Sequence, residues 1–374
     1  MARMPQSLAL PDAASRRGWH AGGMSRRAER LFNRYSIVLV VLIGLGWSWS
    51  LATARALVQH PGARADGLGR VTAGIGAALT RPDAPSIAYV TDALLDAFVP
   101  LRGRSGRLLA VIGPEGGPIA KDTLPTGAII TYTAGDQTET GEGLRAPGRA
   151  GVWELAIRLG ATLKPIADMR VITLRPAADK RQGRIGLYYL GNWPAGGAGG
   201  PGYAPPNGFI EVTQENQATQ VSEHFRLRDF LPKDQRNVWP KYLVLDTKLI
   251  DKLELVLEEL RRHGVNTKGV KVMSGFRTPQ YNAGVGDTRG RASLSRHMYG
   301  DAADIYIDNS GNGSMDDING DGRVDVGDAE FIREAAERVE RRHPDLVGGI
   351  GVYRANPSHG PFTHVDTRGY RARW

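Results

Sequence analysis

The chain has no cysteine. Disulfide bridges, a thiolate nucleophile and cysteine-ligated zinc are therefore excluded, although a location outside the cytoplasm is not. Acidic residues are the minority, 39 against 48 lysines and arginines, so the formal charge is +9. Aromatic residues make up only 7% and form no stripe interleaved with basic ones, which argues against a nucleic-acid partner. Much of the positive charge lies in the N-terminal segment and in the closing RGYRARW, and such a surface equally suits an anionic polymer. At 41% hydrophobic and 23% charged, the chain reads as globular.

Long apolar runs are also scarce, with one exception. From Tyr35 to Ala54 no residue is charged, and Arg26, Arg27, Arg30 and Arg34 precede the run. Its length suits a helix crossing a bilayer, and the basic flank places residues 1–34 in the cytoplasm. The expected anchor is 35–57, in the inner membrane, with everything after it in the periplasm. Ala52–Ala54 also resembles a signal-peptidase site; the long basic segment before the run favours a retained anchor.

What remains divides by composition. Residues 58–86 are rich in Gly, Ala and Pro and read as a linker. Residues 87–210 carry apolar stretches separated by turn residues, at 107–113, 127–134, 151–160, 169–176 and 183–191, with one helix expected over 91–101. These predict a β-rich accessory domain, sandwich-like, ending in the Gly/Pro-rich loop 192–208. Residues 211–374 read as α+β. Leu249, Ile250, Leu253, Val256, Leu257 and Leu260 recur at helical spacing, with Asp246 or Thr247 to cap the helix and Gly264 to end it. A buried strand is expected next, over 270–276.

The segment SLSRHMYGDAADIYID (293–308) places His297 and Asp304 on a loop running into a strand. Imidazole and carboxylate are both good zinc ligands, and a catalytic zinc takes three protein ligands with one open position. GPFTHVDTRGY supplies the third candidate, His364, alternating with Phe362 and Asp366. His20, His60, His263 and His343 read as ordinary side chains.

Ser295-x-His297-x-x-Gly300-x-Ala302-x-Asp304 resembles the SxHxxGxAxD signature of the LAS metallopeptidases. SGFRTPQYN (274–282) and SEHFRLRDF (222–230) are similar to upstream motifs of the VanY-like and phage-endolysin-like branch, so the resemblance extends over about 150 residues. It implies a small antiparallel sheet with flanking helices, a zinc ion on His297, Asp304 and His364, and peptidoglycan as substrate. It also implies that Arg277 grips a substrate carboxylate or carbonyl, and that Ser295 binds substrate or orients its loop. The expected activity is a D,D- or L,D-peptidase, acting as carboxypeptidase or endopeptidase; the alternative is a non-catalytic wall-binding scaffold of the same fold. The chain departs from the pattern at the general base. Gly360, Pro361, Phe362 and Thr363 stand where relatives carry Glu or His. Asp366 is the first candidate for the base, or else a residue that orients a ligand imidazole, with His359 in reserve.

A separate loop, DINGDGRVDVGD (317–328), places Asp317, Asn319, Asp321, Asp325 and Asp328 at positions 1, 3, 5, 9 and 12, with Gly322 at the turn and the Arg323 carbonyl at position 7. This is EF-hand spacing and predicts a structural calcium ion, followed by a helix over 329–342.

Overall fold

The computed structural model describes residues 99–120, 127–159, 162–194, 200–284 and 291–374. The expected anchor, the linker and residues 91–98 of the expected first helix lie outside them. Residues Val99–Arg102 form a short 3-10 helix. Among the described residues, no helix is long and apolar enough to cross a membrane.

Among the described residues, nine strands precede the first long helix: β1 (Ala110–Pro114), β2 (Ala128–Ala134), β3 (Gln137–Glu142), β4 (Gly151–Leu159), β5 (Thr162–Pro176), β6 (Arg184–Ile185), β7 (Tyr188–Tyr189), β8 (Gly208–Val212) and β9 (Lys241–Leu243). Alternation sets their inner face. Ala128, Ile130 and Tyr132 on β2 and Trp153, Leu155 and Ile157 on β4 are buried, while Ile129, between Ala128 and Ile130, is 39% exposed. The expected sandwich is not formed. Seven strands make one sheet in the order β3-β2-β4-β5-β8-β9, with β1 parallel to β5, and β6 and β7 form a separate hairpin. The expected boundary at 210/211 falls inside β8, which pairs with β5 on one side and β9 on the other. Cutting the chain there would leave backbone donors and acceptors on both neighbours unpaired.

The rest comprises α1 (Thr247–Arg262), β10 (Val270–Ser274), α2 (Pro279–Gly284), β11 (Ala302–Ile307), α3 (Val326–Arg342), β12 (Gly349–Tyr353), β13 (Phe362–Asp366) and β14 (Ala372–Arg373). Asp246 caps α1 by accepting the Lys248 N–H at 2.9 Å, and Gly264 follows the helix at φ +86°. The predicted apolar stripe of α1 is buried in one core with Ile332, Ala335, Ala336 and Val339 of α3. Each leucine, isoleucine or valine among them contributes about 1.5–3 kcal/mol on burial. Lys252, fully buried on α1, donates to Glu340 Oε1 on α3 and to the Asp366 carbonyl on β13, both at 2.7 Å. It ties two helices to one strand.

Five strands form the second sheet, in the order β10-β11-β13-β12-β14. Only the β12–β14 pair is parallel. The register sets Ser274 beside Asp304, Asp304 beside His364, and His364 beside Gly351. One row across four strands therefore carries two of the predicted metal ligands.

Candidate metal centre

His297 enters on the 3-10 turn Arg296–Tyr299. Gly300 ends that turn at φ +74°, where a Cβ would lie 2.4 Å from the Val244 carbonyl oxygen, so the position admits only glycine. β11 then carries Asp304 to the row described above. His297, Asp304 and His364 are all buried, with one ligand atom each within 4.8 Å of the others. His364 Nδ1 lies 2.9 Å and His297 Nε2 3.2 Å from Asp304 Oδ1, and the two nitrogens are 3.2 Å apart.

The outer hydrogen bonds decide which nitrogen faces inward. The Gly275 carbonyl can only accept, so His297 donates to it through Nδ1–H at 2.7 Å and turns the Nε2 lone pair inward. Asp366 Oδ2 accepts from His364 Nε2–H at 3.1 Å, which leaves Nδ1 inward. Two lone pairs and a carboxylate oxygen thus converge on one point. Lone pairs 3.2 Å apart repel unless a cation, a proton or a metal ion, lies between them. The donor set and its outer partners fit zinc.

The charges agree with this arrangement. Burial pushes the Asp304 carboxyl up, but the two histidines overcome this and hold it well below the usual carboxylate range. Burial drives His297 down. It acts on His364 in the same direction, yet the bonds to Asp304 and Asp366 prevail and raise it. Arg277 donates through Nη2 to Asp304 Oδ2 and through Nε to Ser274 Oγ, both at 2.8 Å. It holds the outer oxygen of Asp304 and leaves Oδ1 to the histidines.

Of the two roles the sequence leaves open for Asp366, its contacts fit orientation and not proton abstraction. Its side chain is fully buried. It accepts from His364, from the Gly349 N–H at 2.7 Å, and from Arg368 Nε at 2.9 and 3.0 Å. Burial raises its carboxyl, but these partners hold it well below the usual range, so it has little affinity for a further proton. His359 lies on the loop between β12 and β13. Its Nδ1–H donates to the Gly360 carbonyl and its Nε2 accepts from Asn356 Nδ2, both at 2.8 Å, so neither nitrogen bonds a member of the triad. Ser295 is buried and precedes the His297 turn, its carbonyl accepting the Met298 N–H at 3.0 Å.

The spacing at 317–328 builds a turn braced by its own side chains. Asp317 accepts from the N–H groups of Gly320 and Gly322 at 2.7 and 2.8 Å, and Asp321 from Arg323 at 2.9 Å. Asp328 is buried and accepts from the N–H groups of Ile318, Asn319 and Asp325, closing a capping box at the start of α3. Among the described residues, three-membered His/acid clusters with ligand atoms within 4.8 Å occur at two places, and neither is this loop. The second is Glu223, His224 and Glu254.

Several residues around the centre escape the sequence reading. Arg368 appears there only as part of a basic tail, although DTRGY places it two residues beyond Asp366. Trp374 lies with its ring centroid 5.2 Å from that of His364. Trp193, from the segment after β7, stacks on Phe276 and donates to the Met298 carbonyl at 2.9 Å, bracing the loops that carry Arg277 and His297. No curated protein and no solved structure matches this chain. Residues 209–374, the segment that holds all three predicted metal ligands, match the model of a family described as peptidoglycan L,D-endopeptidase MepK.

Proposed function

We propose that this chain is a zinc-dependent peptidoglycan peptidase that opens L,D peptide bonds in cross-links between stem peptides. The observation that carries the reading is the convergence of His297 Nε2, His364 Nδ1 and Asp304 Oδ1, each oriented by an outer partner. The endopeptidase and L,D assignments rest on the description of the family that residues 209–374 match. Bound zinc would supply a Lewis acid and acidify a water molecule.

The protein's own residues do the rest. Gly275 and Asp366 hold the two imidazoles in the required tautomers, and Arg368 holds Asp366. Arg277 uses two of its three nitrogens on Ser274 and Asp304. Its remaining amino group is available to a substrate carbonyl or carboxylate, for which the permanently charged planar fork is suited. The anchor at 35–57 would hold the enzyme at the inner membrane, with the site in the periplasm facing the wall, as the arginines before the apolar run support. The 317–328 loop would bind a structural calcium ion; its oxygen-bearing side chains at EF-hand spacing and Gly322 at φ +84° support this.

The test is a digest. The full chain, in detergent, is incubated with isolated peptidoglycan and defined cross-linked muropeptides, with and without chelator, and the products are weighed by mass spectrometry. Chelator-sensitive scission of L,D cross-links, restored by zinc, is the expected result. A folded, zinc-loaded protein that binds wall and cuts nothing would replace the enzyme with the wall-binding scaffold.

A further inference from the structure

Tyr353 lies on β12 two residues from Gly351, and Gly351 sits beside His364 in the register. Residues two apart on a strand share a face, so Tyr353 shares the face of the metal centre. The ring opposite it in the register, Phe362, stacks on it with centroids 4.5 Å apart and planes within 7°. That contact sets the plane of the phenol.

Trp374 sets its other end. A Cβ on Gly351 would lie 2.3 Å from Trp374 Nε1, so the glycine makes room for the indole between His364 and Tyr353. From there Nε1–H donates to the Tyr353 oxygen at 2.7 Å. Because that oxygen accepts from Trp374, its own hydrogen must point elsewhere. No acceptor for it occurs among the described residues, although the phenol is half-buried. Burial raises the phenol's pKa, so it stays protonated at neutral pH, and the charged groups that reach it are Asp304, Arg277 and Arg368. All three belong to the centre described above. A rigid hydroxyl donor with no partner of its own therefore stands at the margin of the site.

We propose that the Tyr353 hydroxyl donates a hydrogen bond to the scissile carbonyl oxygen and stabilises the negative charge that develops there, with Trp374 as its positioning residue. This rests on the peptidase reading. It gives the site a preorganised donor, the type of group whose removal typically costs about 10²–10³ in kcat. The indole N–H strengthens the phenol as a donor by polarising its oxygen.

The test is Tyr353→Phe, which preserves the stack on Phe362 and removes only the hydroxyl. Turnover of a defined cross-linked muropeptide should fall about 10²-fold in kcat with KM within about threefold. Zinc per chain and melting temperature should stay at wild-type values. A phosphinate analogue of the scissile bond, measured by calorimetry, should lose affinity in the Phe variant by the factor lost in kcat/KM. Trp374→Phe should show a smaller fall, about tenfold, in the same parameters. An active wild type with an equally active Tyr353→Phe variant overturns the Tyr353 assignment alone. A zinc-loaded wild type that neither cleaves the muropeptide nor binds the phosphinate overturns the peptidase reading and the assignment with it. Loss of zinc from the Phe variant would show that Tyr353 is structural and overturn the assignment.

Discussion

Among the described residues, two clusters have the composition of a metal site, and they differ in where their donors point. In His297, Asp304 and His364, each imidazole uses one nitrogen on an outer acceptor and keeps the other for the centre. In Glu223, His224 and Glu254 every strong partner is already engaged. His224 Nδ1–H donates to Glu254 Oε2 at 2.8 Å, and its Nε2 takes Arg261 Nη1 at 3.3 Å. Glu254 Oε1 accepts the His224 backbone N–H at 2.8 Å, and Glu223 pairs with Arg107. Composition and proximity are alike in the two places. What separates them is that the donor atoms of the second cluster already have partners, with an arginine on either side, whereas in the first Arg277 takes only the outer oxygen of Asp304 and leaves Oδ1 to the histidines. A metal ion entering the second cluster would have to displace an arginine; one entering the first replaces lone-pair repulsion with coordination.

The comparison can be broken most directly at the ligands. His364→Ala or Asp304→Ala should abolish zinc binding and reduce cleavage by at least about 10³-fold, whereas His224→Ala should leave zinc at the wild-type ratio by atomic emission. Equal zinc loss from both clusters would erase the distinction. The next largest effect is expected at the outer partner: Asp366→Asn should weaken zinc affinity about 10–100-fold in a competitive chelator titration while leaving the fold intact. His224→Ala should instead act on stability, since it strands the fully buried Glu254; a loss of about 3 kcal/mol in urea unfolding is expected, with the per-molecule activity of the folded fraction unchanged.

The first cluster should also respond to pH. In metal-free protein the Asp304 and Asp366 carboxyls lie below their ordinary value. Their contribution is present above about pH 4 and is lost as pH falls through the folded values. His364 is raised, so its contribution is full below about pH 6.5 and is lost as pH rises through its folded value. Burial lowers His297, so its burial costs stability as pH falls below about 6.5; the melting temperature of metal-free protein should therefore peak near about pH 6.5 and decline on both sides, and zinc should remove the alkaline decline. A flat alkaline limb without metal would contradict a proton held between the two histidines. The smallest effect is expected from the 317–328 loop, where calcium should raise the melting temperature by a few degrees, about 1 kcal/mol, and Asp321→Ala should cancel the rise.

How far the site was legible follows from how each part is encoded. Gly300 and the two candidate ligands of the first motif lie within eight residues, so their spacing carries much of the geometry, and the structure brings His297 and Asp304 together with His364. The α1 stripe was legible for the same reason: a periodicity of 3.6 needs only local sequence. The base was not, because Asp366 is equally well placed along the chain to take a proton or to orient His364. Only its burial against Arg368 and Gly349 distinguishes the two. The single sheet, instead of a sandwich, was illegible because strand alternation says which face is buried and nothing about what covers it. Trp374 and Tyr353 left no signal, since an aromatic near a chain end and one on a strand look like any others.

By itself, then, the sequence determined the elements and the local motifs: a capped amphipathic helix, the alternating strands, the glycine between His297 and Asp304, and the identity of three metal-ligand candidates. Tertiary structure alone decided which of the two His/acid clusters among the described residues keeps its donors free, what Asp366 is bonded to, and which phenol shares the face of that cluster. The first of these depends on hydrogen-bond partners 22 and 60 residues apart, Gly275 with His297 and Asp304 with His364. A partner at that distance is fixed by strand register and packing, which no short stretch of sequence encodes.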